Sequence, residues 1–183
     1  MGIKKSFTLI EMIVVLAIVG LVMPVIFAII FGLARQQTKI YRLSEVKRQG
    51  DYVLNNTAVL IRNNAKSIHS TQPPSAEQCA TVDSLYSSNN SLYFLDKNDR
   101  WFGFKLTSNK ISSESGNPAD LTSTKVVVSG LTIGCKRTTL YSPATVSLSF
   151  DICYATGVGT CASSRPEETA TLHYQTKIKL RNF

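Results

Sequence analysis

Few residues in this chain have the type and spacing to do chemistry. Foremost is Glu11, a lone carboxylate at the mouth of an apolar run in which Met12 to Ala34 carry no charge. An acid at the edge of a bilayer is costly unless paired, so it marks a functional position and needs a cationic partner. Next come Cys79, Cys135, Cys153 and Cys161, all beyond that run. Their even number fits oxidised pairs outside the cytoplasm. Three connectivities are open, and Cys153 with Cys161 plus Cys79 with Cys135 is favoured, because Gly157-Val158-Gly159 lets the chain fold back locally. Zinc is the weaker reading: the chain has no Cys-x-x-Cys, and neither histidine stands at ligand spacing from a cysteine.

The other candidates are weaker still. His69 and His173 are the only histidines, and neither has a nucleophile or carboxylate at a spacing that would spell a triad. Both read as surface residues, no catalytic residue is expected, and a membrane-anchored enzyme is disfavoured. Asp96, Asn98 and Asp99 offer oxygen ligands for calcium, but they are also ordinary turn residues and lack the full EF-hand pattern. No metal or other cofactor is expected. Trp101, Phe102 and Phe104 beside Arg100 would make either an exposed platform or, as favoured here, core packing of alternate residues.

The elements that must position these residues begin with the apolar run. Its 23 residues reach about 35 Å as a helix, enough to cross a bilayer core. A secretory signal peptide would have an apolar stretch of about 7–15 residues before a small-x-small site, whereas this run is longer and ends in Gly32-Leu33-Ala34-Arg35. A plain signal anchor leaves Glu11 unexplained. Pro24, with Gly20 nearby, predicts a kink or loosened turn, a merely tolerated proline being the alternative. Beyond the run, Ile40, Leu43, Val46, Gly50, Val53, Leu54, Thr57, Leu60, Ile61 and Ala65 recur at helical spacing and draw one stripe. From Val53 to Ala65 that stripe is expected to pack on its own domain, and from Ile40 to Val46 to face sister chains. Pro73-Pro74 end the helix.

The residues to Asn90 read as a loop holding Cys79, and a polar stretch over Ser112–Thr124 as a break. Strands are expected over Ser91–Leu95 and Trp101–Leu106, forming a hairpin, and over Lys125–Lys136 and Ala144–Tyr154. Val146, Leu148, Phe150 and Ile152 alternate with polar residues, as do Leu172, Tyr174, Thr176, Ile178 and Leu180. Such alternation means sheets buried on one face. The fold class is therefore α+β, a long N-terminal helix packed on an antiparallel β domain.

The words Lys4-Lys5-Ser6-Phe7-Thr8-Leu9-Ile10-Glu11, followed by a long apolar helix, closely resemble the start of a type IV prepilin or pseudopilin. The resemblance implies a prepilin peptidase that cuts between Ser6 and Phe7 and methylates the Phe7 amine. It also implies a pilin-like fold, a stay in the cytoplasmic membrane, and polymerisation with other pilin or pseudopilin subunits through the helix. Glu11 becomes the fifth residue of the mature chain and an assembly contact to a neighbour's Phe7 amine, and Pro24 a place where the helix loosens on assembly. One departure stands out: the family usually has Gly before the cut, and this chain has Ser6.

The implied organisation is a leader over 1–6, a membrane and polymerisation helix over 7–34, an amphipathic extension over 35–72 and a β-rich head over 73–183. The implied function is structural, that of a minor pilin or a pseudopilin resembling the J-type subunits of secretion pseudopili. It is not an enzyme, and its head lies outside the membrane and later on a filament. The alternative is a single-pass anchored module that binds a ligand or DNA. Charge argues against the orientation: the net charge of +8 concentrates over 35–66, with seven basic against two acidic residues, which by the positive-inside bias would hold the carboxyl part in the cytoplasm. The prepilin-like start requires a cytoplasmic leader, and the remainder looks built for export, so that orientation is rejected. The basic stretch Arg35–Arg48 would attract anionic lipid or nucleic acid, but pairing with acidic groups of neighbouring subunits is favoured.

Overall fold

The computed structural model describes residues 8–72, 75–139, 141–157, 159–161 and 168–181. One helix, α1 (Leu9–Asn64), dominates it; at 1.5 Å per residue its 56 residues are about 84 Å long. Among the described residues ten strands follow: β1 (Ala65–His69), β2 (Glu77–Gln78), β3 (Leu85–Ser88), β4 (Ser91–Asp96), β5 (Trp101–Thr107), β6 (Lys110–Glu114), β7 (Ala119–Asp120), β8 (Val126–Lys136), β9 (Thr145–Tyr154) and β10 (Thr171–Lys179). Every ladder is antiparallel. They form a six-stranded sheet ordered β2-β1-β4-β5-β6-β7 and a four-stranded sheet ordered β10-β9-β8-β3. The architecture is thus the expected α+β, pilin-like one.

Alternation explains the buried faces. Val146, Leu148, Phe150 and Ile152 of β9 all point into the core, and Leu92 and Phe94 of β4 do the same. Along β5, Phe102 and Phe104 turn inward to Phe94, with ring centroids 5.3 and 6.4 Å from it. Gly103, on the opposite face, lies under the Tyr93 ring, where a Cβ would collide. The aromatic hairpin is therefore core packing, with Trp101 half-buried at its end.

Four sequence-based expectations differ from the structure, one of them the surface position of His69, which is buried in β1. The helix ends at Asn64 rather than running to 67 or 72, because Ala65 turns extended (φ −70°, ψ 120°) and β1 pairs with β4 through a bulge between Ala65 and Ser67. The stretch read as a loop to Asn90 contains β2 and β3, and the polar break from Ser112 contains the end of β6 and all of β7. These strands are short, and the sheet assigns them through backbone pairing at its margins, which composition does not encode. Val46, expected to face sister chains, is fully buried by its own head, since the head reaches down the helix as far as Arg42.

Candidate assembly helix and its docking to the head

At the membrane end, Thr8 caps α1 and forms a reciprocal box with Glu11. The Thr8 backbone N–H donates to Glu11 Oε2 at 2.8 Å and the Thr8 hydroxyl to the same oxygen at 2.9 Å. In return the Glu11 N–H donates to Thr8 Oγ1 at 3.4 Å. The pattern Thr-x-x-Glu ahead of an apolar run is the sequence form of this box, and a carboxylate there also meets the positive end of the helix dipole. Thr8 is thus a functional neighbour that the sequence reading passed over, although its signal was legible. Glu11 Oε1 has no partner among the described residues. Ser6 and Phe7, the expected cleavage and methylation positions, lie outside the described residues.

From Leu9 to Leu33 the large apolar side chains are exposed throughout, and this is the one described helix long and apolar enough to cross a membrane. The helix continues through Pro24. Pro24 lacks an N–H, so the Gly20 carbonyl four residues earlier loses its usual helical donor.

Docking to the head begins at Arg42. Its guanidinium donates to the Glu168 carbonyl at 3.0 Å, lies 3.9 Å from the Glu168 carboxylate and stacks 5.3 Å over the Tyr154 ring. One turn on, Arg48 forks onto both oxygens of Glu45 at 2.7 and 3.2 Å. That hydrogen bonding holds the buried Glu45 carboxyl below its usual range. Buried Gln49 donates to Glu45 and to Ser123 Oγ, while Ser123 N–H donates back to Gln49 Oε1 at 3.4 Å. Gly50 lies directly under Tyr174 of β10, where any Cβ would overlap the ring. The Tyr174 hydroxyl donates to the Lys47 carbonyl at 3.1 Å, and burial, aided by Asp51, raises it to about 12. Above this seam Val53, Thr57 and Ile61 are buried.

The basic stretch is partly spoken for. Arg42 and Arg48 pair within the chain, whereas Arg35, Lys39 and Lys47 form no ion pair among the described residues. The cysteines are joined as Cys79–Cys135, with Cα atoms 6.2 Å apart, and Cys153–Cys161, at 5.9 Å. The first bridge ties the β2–β3 connection to β8.

The remaining candidates have structural partners. His69, expected at the surface, is buried in β1: its Nδ1 donates to the Ser75 carbonyl at 2.7 Å and its Nε2 meets Ser67 Oγ at 2.8 Å. The position changed because the chain left the helix and entered the sheet at Ala65. His173 is exposed and pairs across the strands with Asp151 at 2.7 Å. Asp96 accepts from the backbone N–H groups of Asn98 and Arg100 at 2.7 and 2.8 Å, which keeps its carboxyl below the usual range and occupies it as a turn acceptor. No cluster of three metal-ligating side chains occurs among the described residues.

No curated protein and no solved structure matches the chain significantly. Residues 1–23 match the family model described as the prokaryotic N-terminal methylation motif. Ahead of a membrane-capable helix and a pilin-like head, this chain therefore carries the N-terminal motif typical of type IV prepilins and pseudopilins.

Proposed function

We propose that the chain is a structural, non-enzymatic subunit, a minor pilin or pseudopilin, of a type IV filament machine. It is cut between Ser6 and Phe7, methylated at Phe7, and assembled with other subunits through residues 7–34. Before assembly it sits in the cytoplasmic membrane with the head outside. The observation that carries this reading is Glu11, boxed by Thr8 through one oxygen and open at the other among the described residues, at the tip of a helix whose apolar side chains from Leu9 to Leu33 are exposed.

In that reading Thr8 holds the carboxylate aimed while the subunit waits in the membrane, and Oε1 receives the Phe7 amine of a neighbour. The exposed Ile40 and Leu43 and Arg35, Lys39 and Lys47, which form no ion pair among the described residues, then meet sister subunits, the cations facing acidic groups. The proline-weakened turn at Gly20–Pro24 is where the helix loosens on packing.

Mass spectrometry of the mature protein tests processing: a methylated N-terminus at Phe7 is expected, and a chain still starting at Met1 in cells with active peptidase would sink the proposal. Replacing Glu11 by Ala is expected to cut recovery in sheared filaments by an order of magnitude or more without changing the fold of the head. Unchanged recovery would remove Glu11 from assembly.

A further inference from the structure

At the end of the head remote from the membrane helix lies a polar pocket that the assembly reading does not use. β10 climbs beside α1, with Tyr174 on Gly50. At about 3.3 Å per strand residue against 1.5 Å per helix residue, Leu180 and Arg181 arrive near the level of Asn64. There a cavity of about 190 Å³ opens in the seam between the two sheets, with Lys66 of β1, Glu77 and Gln78 of β2, Arg137 just after β8 and Arg181 just after β10 on its walls. Three different parts of the chain thus bring a cation to one small space.

The state of these cations points to a ligand. Arg137 gives one guanidinium N–H to the Ala80 carbonyl, but its buried Nε has no hydrogen-bond partner among the described residues. A buried donor on a side chain that never loses its charge is costly to leave unanswered. Arg181 is exposed and forms no ion pair among the described residues. Lys66 has only an exposed contact to Asp99 at 3.5 Å. Against Glu77, the four charged residues on the walls sum to +2. The volume equals roughly six water molecules, room for one small oxyanion and part of its shell.

We propose that this pocket binds a phosphate dianion, with Arg137 and Arg181 supplying planar N–H donors and Lys66 the third positive charge. Guanidinium groups match phosphate oxygens with paired hydrogen bonds. Two sources share this chemistry, free inorganic phosphate and the terminal phosphate of a nucleic-acid strand.

The test uses the full chain in nonionic detergent, titrated with sodium phosphate or with sodium chloride at matched ionic strength while the thermal midpoint is followed. A saturable rise specific to phosphate is expected. Arg181→Gln, a surface change that leaves the core intact, should raise the half-saturating concentration about tenfold. Glu77→Gln should lower it. Arg137→Lys keeps the charge but loses the fork, and should also weaken binding. Competition by a 5′-phosphorylated oligonucleotide, and not by its unphosphorylated twin, would assign the site to strand ends; failure of both to compete would assign it to free phosphate. No phosphate-specific rise, or titrations identical in the native chain and Arg181→Gln, overturns the proposal.

Discussion

The two halves of α1 are one continuous helix with opposite surroundings. Below Arg42 the apolar side chains are exposed on every side, as a helix built for lipid or for packing among like helices is. Above it, a single stripe, Val46, Gly50, Val53, Thr57 and Ile61, is buried under the sheets, and the opposite face is mostly polar, with Tyr52 and Val59 exposed on it. The lower half depends on its environment for partners. The upper half carries its partners in its own chain, through the Arg42, Gln49 and Tyr174 contacts. A change of side chain should therefore be felt in the head's stability above Arg42 and in assembly below it.

The sharpest way to break that contrast is to remove matched apolar groups. Ile61→Ala, at a site 0% exposed, should destabilise the head by about 2–5 kcal/mol through lost transfer and a cavity. Ile18→Ala, at a site 56% exposed, should leave its denaturation midpoint unchanged. Equal effects in chemical denaturation would show that the helix is not divided as described.

Next in size is overpacking. Gly50→Val forces a side chain into the Tyr174 ring and should cost about 1–3 kcal/mol. The same change at Gly32, with open space around it, should not disturb the head. Gln49→Ala comes third: it leaves the Ser123 N–H without its acceptor, a loss of about 1–2 kcal/mol readable as earlier hydrogen exchange at Ser123.

The smallest effect is titration of Tyr174. Its hydroxyl is raised to about 12 from an ordinary value near 10, so the folded state holds the proton more tightly than the unfolded chain. This contribution is whole below about pH 10 and is lost as pH rises towards 12. The native chain should lose stability more steeply across that window than Tyr174→Phe, and identical slopes would remove Tyr174 from the alkaline response.

Much of the architecture was legible because periodicity reports burial directly. The alternation in β9 and β10 follows the buried and solvent faces, and the helical stripe from Val53 to Ile61 follows the docked seam. What was missed lay where pairing, not composition, decides: β3 is a polar strand whose partner β8 comes from far along the chain, and β6 is a polar strand held in a tight hairpin with β5. His69 was misplaced for the same reason, since one residue at the helix end, Ala65, moves it from a surface helix to a buried strand. In the candidate site, Glu11 stood out as a charge in an apolar setting. Its local partner Thr8 is legible too, since Thr-x-x-Glu spells the box.

The sequence by itself determined the membrane-capable run, the lone acid with its cap three residues before it, and the α+β class, because each rests on residues close together in the chain. Only the tertiary structure decided how far the head descends the helix, and hence that Val46 is buried and Arg42 held by Glu168. It also decided that Lys66, Arg137 and Arg181 share one pocket. Those facts depend on contacts between residues far apart in sequence, and local pattern carries no information about such distances.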